Sequence, residues 1–360
     1  MKPIASPSPS LPVGHRLRAV DPGIRPATAS EYEELVAWLN GIFHPHCPDF
    51  FQTRYCHLFR GGAAMEQSSL VIEEEGRYLG HIGLYVFGLR TSVGPLRTGG
   101  IGCVAVAPEA RGRGIARRLL DAAHHKALEE GCVIGLLGGI RSIYGSAGYE
   151  ICGLRYQWMW DRQRRKPAQG WRRVAPETAA EIVHPLWKRA RHGVLWEPEI
   201  FAQLPLRTGW ETWVDGANES YTFVQVGQDL VLVDHFHVAE TGFQAMMDAI
   251  SHHYLKPVQL HHPAGDAFLH AEMTRSGMDP RRMSQGMLKI LNAAALGERC
   301  HNKGLATGPH LAGIAGHELS HAPDTVARQR LASRKVFGDP FESGAGQPGI
   351  RWGWEDISHI

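Results

Sequence analysis

The chain has 360 residues, enough for two domains, or two and a small third, at about 100–200 residues each. Hydrophobic residues make up 43%, charged residues 21% and aromatics 9%, which excludes fibrous and mainly disordered classes and fits a protein with a large core. Lys+Arg 38 against Asp+Glu 36 gives a formal charge of +2, so no global field recruits nucleic acid or an anionic membrane.

Residues 1–22, beginning MKPIASPSPSLPVGHRL, are too rich in Pro and Ser for a signal peptide and read as a disordered tail. Ile24-Arg25-Pro26 reads as a short first strand. Ser30 and Glu33 have the spacing of a capping box ahead of Tyr32, Leu35, Val36 and Leu39, so a first helix is expected near Ser30. Leu70–Glu74 and Tyr78–Phe87 read as paired strands joined at Glu75-Gly76-Arg77. Gly99–Ala107 is an apolar, glycine-studded run ending at Pro108. Ile115, Leu119, Ala122, Ala123 and Ala127 then recur on one helical face until Gly131, and Cys132–Leu137 reads as a buried strand.

The polar, basic stretch Asp161–Arg173 reads as a linker. Beyond it, Ser220–Val226 and Leu230–Val238 form a hairpin, Phe243–Tyr254 a helix, Val258–Leu260 a strand, Ala267–Arg275 a helix and Met283–Leu291 a last strand. This order echoes the first half. Gly and Pro become frequent from Gly304 onward, and Gly338–Gly349 reads as a loop before Trp352-Gly353-Trp354.

Six cysteines (Cys47, Cys56, Cys103, Cys132, Cys152, Cys300) never occur as C-x-x-C, which argues against a disulfide scaffold or a zinc ribbon and for buried thiols in a reducing compartment. With no apolar run long enough to span a bilayer, the sequence predicts a cytoplasmic location and no membrane partner. The 21 His are a compositional excess that makes chance His motifs common.

The segment that carries chemistry is Val104-Ala105-Val106-Ala-Pro-Glu-Ala-Arg111-Gly112-Arg113-Gly114-Ile115-Ala116, a strand running through a glycine-rich turn into a helix. Gly112 and Gly114 let backbone approach a ligand closely, and successive N–H groups at a helix start make a nest for a pyrophosphate. It is not a Walker A loop, because no Lys-Ser/Thr follows Gly114, and the dinucleotide fingerprint spaces its glycines differently.

Arg-Gly-x-Gly-Ile-Ala after Val-x-Pro resembles the acetyl-CoA loop of the GNAT superfamily of N-acetyltransferases. Ile143-Tyr144-Gly145-Ser146-Ala147-Gly148-Tyr149 resembles the tyrosine-bearing segment of the same fold, most closely that of Eis-type aminoglycoside acetyltransferases. The resemblance is strong over residues ~24–160 and rests on element order alone over ~170–290. It implies an α/β protein with a mixed sheet: a disordered tail over 1–22, a catalytic GNAT domain over 23–162, a second GNAT-like domain without the loop over 163–291, and a small C-terminal module over 292–360. Backbone groups of Val104, Ala105 and Val106 would pair with the pantetheine arm, and Arg111, Gly112, Arg113, Gly114, Ile115 and Ala116 would bind the rest of the co-substrate, acetyl-CoA. Tyr144 would match the general acid, a phenol of pKa near ~10 giving its proton to a thiolate whose conjugate acid lies near ~8.5, although Tyr149 or a water could serve instead. Ile360 would match the terminal carboxylate that acts as base. The implied activity is acetyl transfer to a primary amine, on an aminoglycoside-like molecule or a lysine or peptide, in a protein compatible with homo-oligomers.

Two other classes compete with this reading. His317-Glu318-Leu319-Ser320-His321 matches H-E-x-x-H, which on a helix would make a zinc metallopeptidase; Pro323, Gly313 and Gly316 argue against that helix and no third ligand is evident, so no metal is expected. The pairs His252-His253 and His261-His262 read as surface or core histidines. A chain that binds acyl-CoA but has lost catalysis is the other alternative. Glu31, Glu33 and Glu34 on the first helix, Asp49 beyond it, and Glu355 and Asp356 near the end would attract a cationic acceptor if they converge, and otherwise form a solvated face.

Overall fold

A computed structural model describes residues 21–160, 170–190, 193–238, 242–263, 266–305, 307–312 and 314–337. The expected tail to residue 20, most of the linker, the loop from Gly338 and the chain end through Ile360 lie outside the described residues.

Thirteen strands form one mixed sheet among the described residues. In chain order they are β1 (Arg25–Pro26), β2 (Ser69–Glu74), β3 (Arg77–Leu89), β4 (Leu96–Val106), β5 (Ile134–Leu137), β6 (Glu150–Trp160), β7 (Trp171–Val174), β8 (Val194–Leu195), β9 (Trp210–Asp215), β10 (Tyr221–Val226), β11 (Val231–His237), β12 (Val258–Pro263) and β13 (Arg281–Ile290). The order across the sheet is β1-β2-β3-β4-β5-β13-β6-β12-β11-β10-β9-β7, with β8 on the edge of β3. Each half thus gives its last strand to the other: β13 lies between β5 and β6, and β6 pairs with β12. The fold is the α/β, mixed-sheet class that the sequence implies.

Local sequence accounts for most of the elements. Glu75 and Gly76 both take positive φ, 51° and 73°, which matches the twist of the β2–β3 hairpin. The first helix runs over Tyr32–Phe43 behind a 3₁₀ turn at Ala29–Glu31. It is capped two residues earlier than Ser30 and Glu33 suggest, by Thr28 and Glu31: the Thr28 amide and hydroxyl donate to Glu31 Oε2 at 2.6 and 2.8 Å. Arg25 decides the register by gripping Glu31 with two further bonds of 2.8 and 2.7 Å.

The helix Ile115–Glu129 buries Ile115, Leu119, Leu120, Ala123 and Ala127 against Leu79, Ile82 and Ile101 of β3 and β4. A helix of this length is marginal alone, so this packing is what holds it. After Leu291, the helices Ala293–His301 and Pro323–Phe337 follow, the second tied to the sheet where Arg330 and Arg334 reach Glu150 of β6 at 2.7 and 3.2 Å. Cys103, Cys132, Cys152 and Cys300 are buried and all six cysteines are free thiols. Among the described residues no helix is long and apolar enough to cross a membrane.

Candidate active site

β4 and β5 pair in parallel from Thr98 with Ile134 to Ile101 with Leu137. There β5 ends, while β4 continues to Val106 with β3 on one side only, so the two strands part. Ala105 is buried in the core, and Val104 and Val106 are half-buried beside the helix Ile115–Glu129. A bulge opposite His81–Gly83 puts Cys103 at φ 50°. The His81 ring binds the Cys103 carbonyl at 2.8 Å, and burial pushes the Cys103 thiol up to about 12. Nothing in the apolar run of β4 signals this bulge.

Beyond β4 the chain makes a 3₁₀ turn at Pro108–Ala110 and enters the helix through Gly112 and Gly114, at φ 80° and 74°. A Cβ at either glycine would meet no atom within 4 Å, so backbone conformation, not space, requires glycine there. Among the described residues the amides of Gly112, Arg113, Gly114, Ile115 and Ala116 donate to no acceptor. A helix start carries partial positive charge, and Arg111 is exposed beside it. Arg113 pairs with Glu74 at 2.6 Å, both about half exposed, a bond of small net worth. The arrangement fits a phosphate or pyrophosphate.

Tyr144 lies in the short helix Ser142–Ser146. Its ring packs beside Tyr149, centroids 6.3 Å apart, and its hydroxyl has no partner among the described residues. Burial is the main influence raising its pKa, with Arg141 opposing and Cys103 adding to the rise. Arg117, in the first turn of the long helix, donates to the Ser146 carbonyl at 3.0 Å, so the glycine turn and the Tyr144 segment adjoin. Tyr149 is fully buried, and its hydroxyl pairs with His124 at 3.1 Å.

Glu31 is committed to Arg25 and Thr28 and accepts from the Tyr78 hydroxyl at 3.0 Å; Arg25 above all holds its carboxyl far below the usual range. Glu33, Glu34 and Asp49 are exposed, while Glu355, Asp356 and Ile360 lie outside the described residues.

The H-E-x-x-H segment is turn and coil rather than helix, so His317 and His321 share no helical face. Glu318 is buried and accepts from the Ala293 amide at 3.0 Å, at the start of the preceding helix Ala293–His301, and His321 meets Asp121 at 3.0 Å. His252 and His253 are exposed, and His262 is buried. Among the described residues no three His, Cys, Asp or Glu gather as a metal-binding group.

Residues 23–152 match the family model of the acetyltransferase (GNAT) domain. No curated protein matches the chain by sequence. Among solved structures, a GCN5-related N-acetyltransferase from Anabaena variabilis is 19% identical, with a TM-score of 0.60 over 75% of this chain and 72% of its own. One from Kribbella flavida is 17% identical, with a TM-score of 0.56 over 74% and 70%. Eis1 from Mycobacterium abscessus is 15% identical, with a TM-score of 0.52 over 76% and 74%. The chain therefore carries a GNAT acetyltransferase domain at residues 23–152, within a fold that it shares with an Eis protein.

Proposed function

We propose that this chain transfers the acetyl group of acetyl-CoA to a primary amine, on an aminoglycoside-like molecule or on a lysine or peptide, by direct attack of the neutral amine on the thioester. The observation that carries the reading is the row of five unpartnered amides from Gly112 to Ala116, set beside the edge that β4 keeps free after it leaves β5. In this reading the amides, with Arg111 and Arg113, hold the pyrophosphate. Val104, Ala105 and Val106 offer backbone to the pantetheine arm and a donor to the developing oxyanion. Tyr144 gives its proton to the departing thiolate; its free hydroxyl and partial burial support this role, and the engaged, buried hydroxyl of Tyr149 speaks against the alternative donor. The terminal carboxylate of Ile360 takes the amine proton, an assignment that rests on the resemblance to Eis-type enzymes alone.

Two measurements test the proposal. Calorimetry with acetyl-CoA should show Gly114→Val weakened about a hundredfold or more, since losing two charge-assisted bonds costs about 1.5–3 kcal/mol each. Unchanged affinity would refute the loop assignment. Release of CoA thiol in the presence of kanamycin, spermidine or a lysine-containing peptide should identify an acceptor class. Tight acetyl-CoA binding without release for any amine would instead favour an acyl-CoA-binding protein that has lost catalysis.

A further inference from the structure

Lys289 lies on β13, the strand that the second half inserts beside β5, and its side chain is fully buried. A buried amine is costly, and the apolar neighbours Leu288 and Ile290 show what this strand needs for packing alone. The Lys289 Nζ donates to the Ala147 carbonyl at 2.7 Å. Ala147 ends the turn that bears Tyr144: its amide returns to the Ile143 and Tyr144 carbonyls at 3.1 and 3.0 Å, and the Tyr149 amide returns to the Tyr144 carbonyl at 3.0 Å.

The residues on either side are held from other parts of the chain. Arg117 donates to the Ser146 carbonyl. Gly148 has φ 91°, and a Cβ there would stand 2.3 Å from Gln329 Oε1, so the backbone passes tightly under the helix Pro323–Phe337. Gln329 is itself fixed by donating to the His317 and Glu318 carbonyls at 2.7 and 2.8 Å. Three consecutive residues are thus clamped by the first half, the second half and the C-terminal module. Since no described residue bonds to the Tyr144 hydroxyl, its direction follows from the turn beneath it.

We propose that Lys289 is a positioning residue for Tyr144: from the inserted strand it fixes the Ala147 carbonyl and thereby aims the phenol at the site. This rests on the reading of Tyr144 as the acid. The interaction survives loss of the ammonium proton, because a neutral amine still donates a hydrogen bond.

The test is a double-mutant cycle of Lys289→Met and Tyr144→Phe, read as CoA thiol released from acetyl-CoA with kanamycin, spermidine or a lysine peptide, or by slow hydrolysis where none accepts. Calorimetric affinity for acetyl-CoA reports folding and loop binding separately. Lys289→Met should lower kcat about 10- to 100-fold, the scale of an approximately 1 Å misplacement, with acetyl-CoA affinity within about twofold. In the Tyr144→Phe background it should lower kcat no further. Lys289→Gln, which keeps a shorter N–H donor, should fall between wild type and Met, and supplies the same comparison if the Met variant does not fold. A Lys289→Met loss of equal size in both backgrounds, or no loss in the wild-type background, overturns the proposal. Should Tyr144→Phe itself leave the rate unchanged, the acid assignment fails first, and the positioning role falls with it.

Discussion

Lys289 also makes a prediction about stability that needs no substrate. Burial lowers its pKa from a lysine's ordinary 10.5 to about 7, opposed by Asp121 and Glu318 and reinforced by Arg117. Between pH 7 and pH 10.5 the unfolded chain holds a proton at this side chain that the folded chain has largely released. More protons bound in the unfolded state means that stability rises with pH. Below pH 7 both states are protonated and the penalty is full and constant; above 10.5 it has vanished. Lys289→Met removes the titration and shortens the unbranched side chain by one heavy atom. The mutant loses the bond to Ala147, about 1–3 kcal/mol, a cost that does not change with pH. Integrating the proton difference from pH 7 to pH 9 gives about 2 kcal/mol by which the wild type should gain on the mutant. Urea unfolding of both proteins at the two pH values measures this, and groups common to both cancel in the difference. A gap between them that stays the same at pH 7 and pH 9 would refute the reasoning, because it would mean that Lys289 keeps an ordinary proton affinity when folded.

Gly41 lies inside the helix Tyr32–Phe43, where an added Cβ would meet nothing within 4 Å, so Gly41→Ala should stabilise the protein by about 0.5–1 kcal/mol in urea unfolding. A tag fused after Ile360 should leave acetyl-CoA affinity intact in calorimetry but slow transfer by ~100-fold or more, with the rate recovering at high pH where more of the amine is already neutral. A pH–rate profile unaltered by the tag would move the base to a side chain or a water relay.

The parts of the fold that one segment determines were legible in the sequence. Phe243–Tyr254 and Ala267–Arg275 have the expected limits, and the glycine turn leads from a strand into a helix as its residues require. What local pattern cannot show is strand order. Met283–Leu291 reads as a strand, but nothing in those residues says that it enters the other half between β5 and β6. Choices between equivalent local signals also depend on distant partners: Thr28/Glu31 and Ser30/Glu33 both have capping-box spacing, and Arg25 selects the first. Of Gly and Pro, the helices Ala293–His301 and Pro323–Phe337 contain only Gly297 and, at a helix start, Pro323; the Gly and Pro that make this region read as irregular lie between and after them. His317 to His321 is the opposite case, a motif whose spacing means something only on a helix, which Pro323, Gly313 and Gly316 argue against and these residues do not form.

The same distinction separates the two parts of the proposed site. The anion nest consists of β4, the turn and the helix Ile115–Glu129, contiguous in sequence and pinned by their own packing, so a short motif suffices to announce it. The Tyr144 turn joins β5 to β6, two strands that are not neighbours because β13 lies between them. Its geometry therefore cannot be set by the first half alone. It depends on Lys289 from one distant segment and on Gln329 and Arg330 from another, and Arg330 also binds Glu150, where β6 begins. In the proposed reading, donor binding is a local property of the first half and acid placement is assembled by the whole chain. In that reading the second half has a physical role: it supplies β13, the strand that lies between β5 and β6 beside the Tyr144 turn.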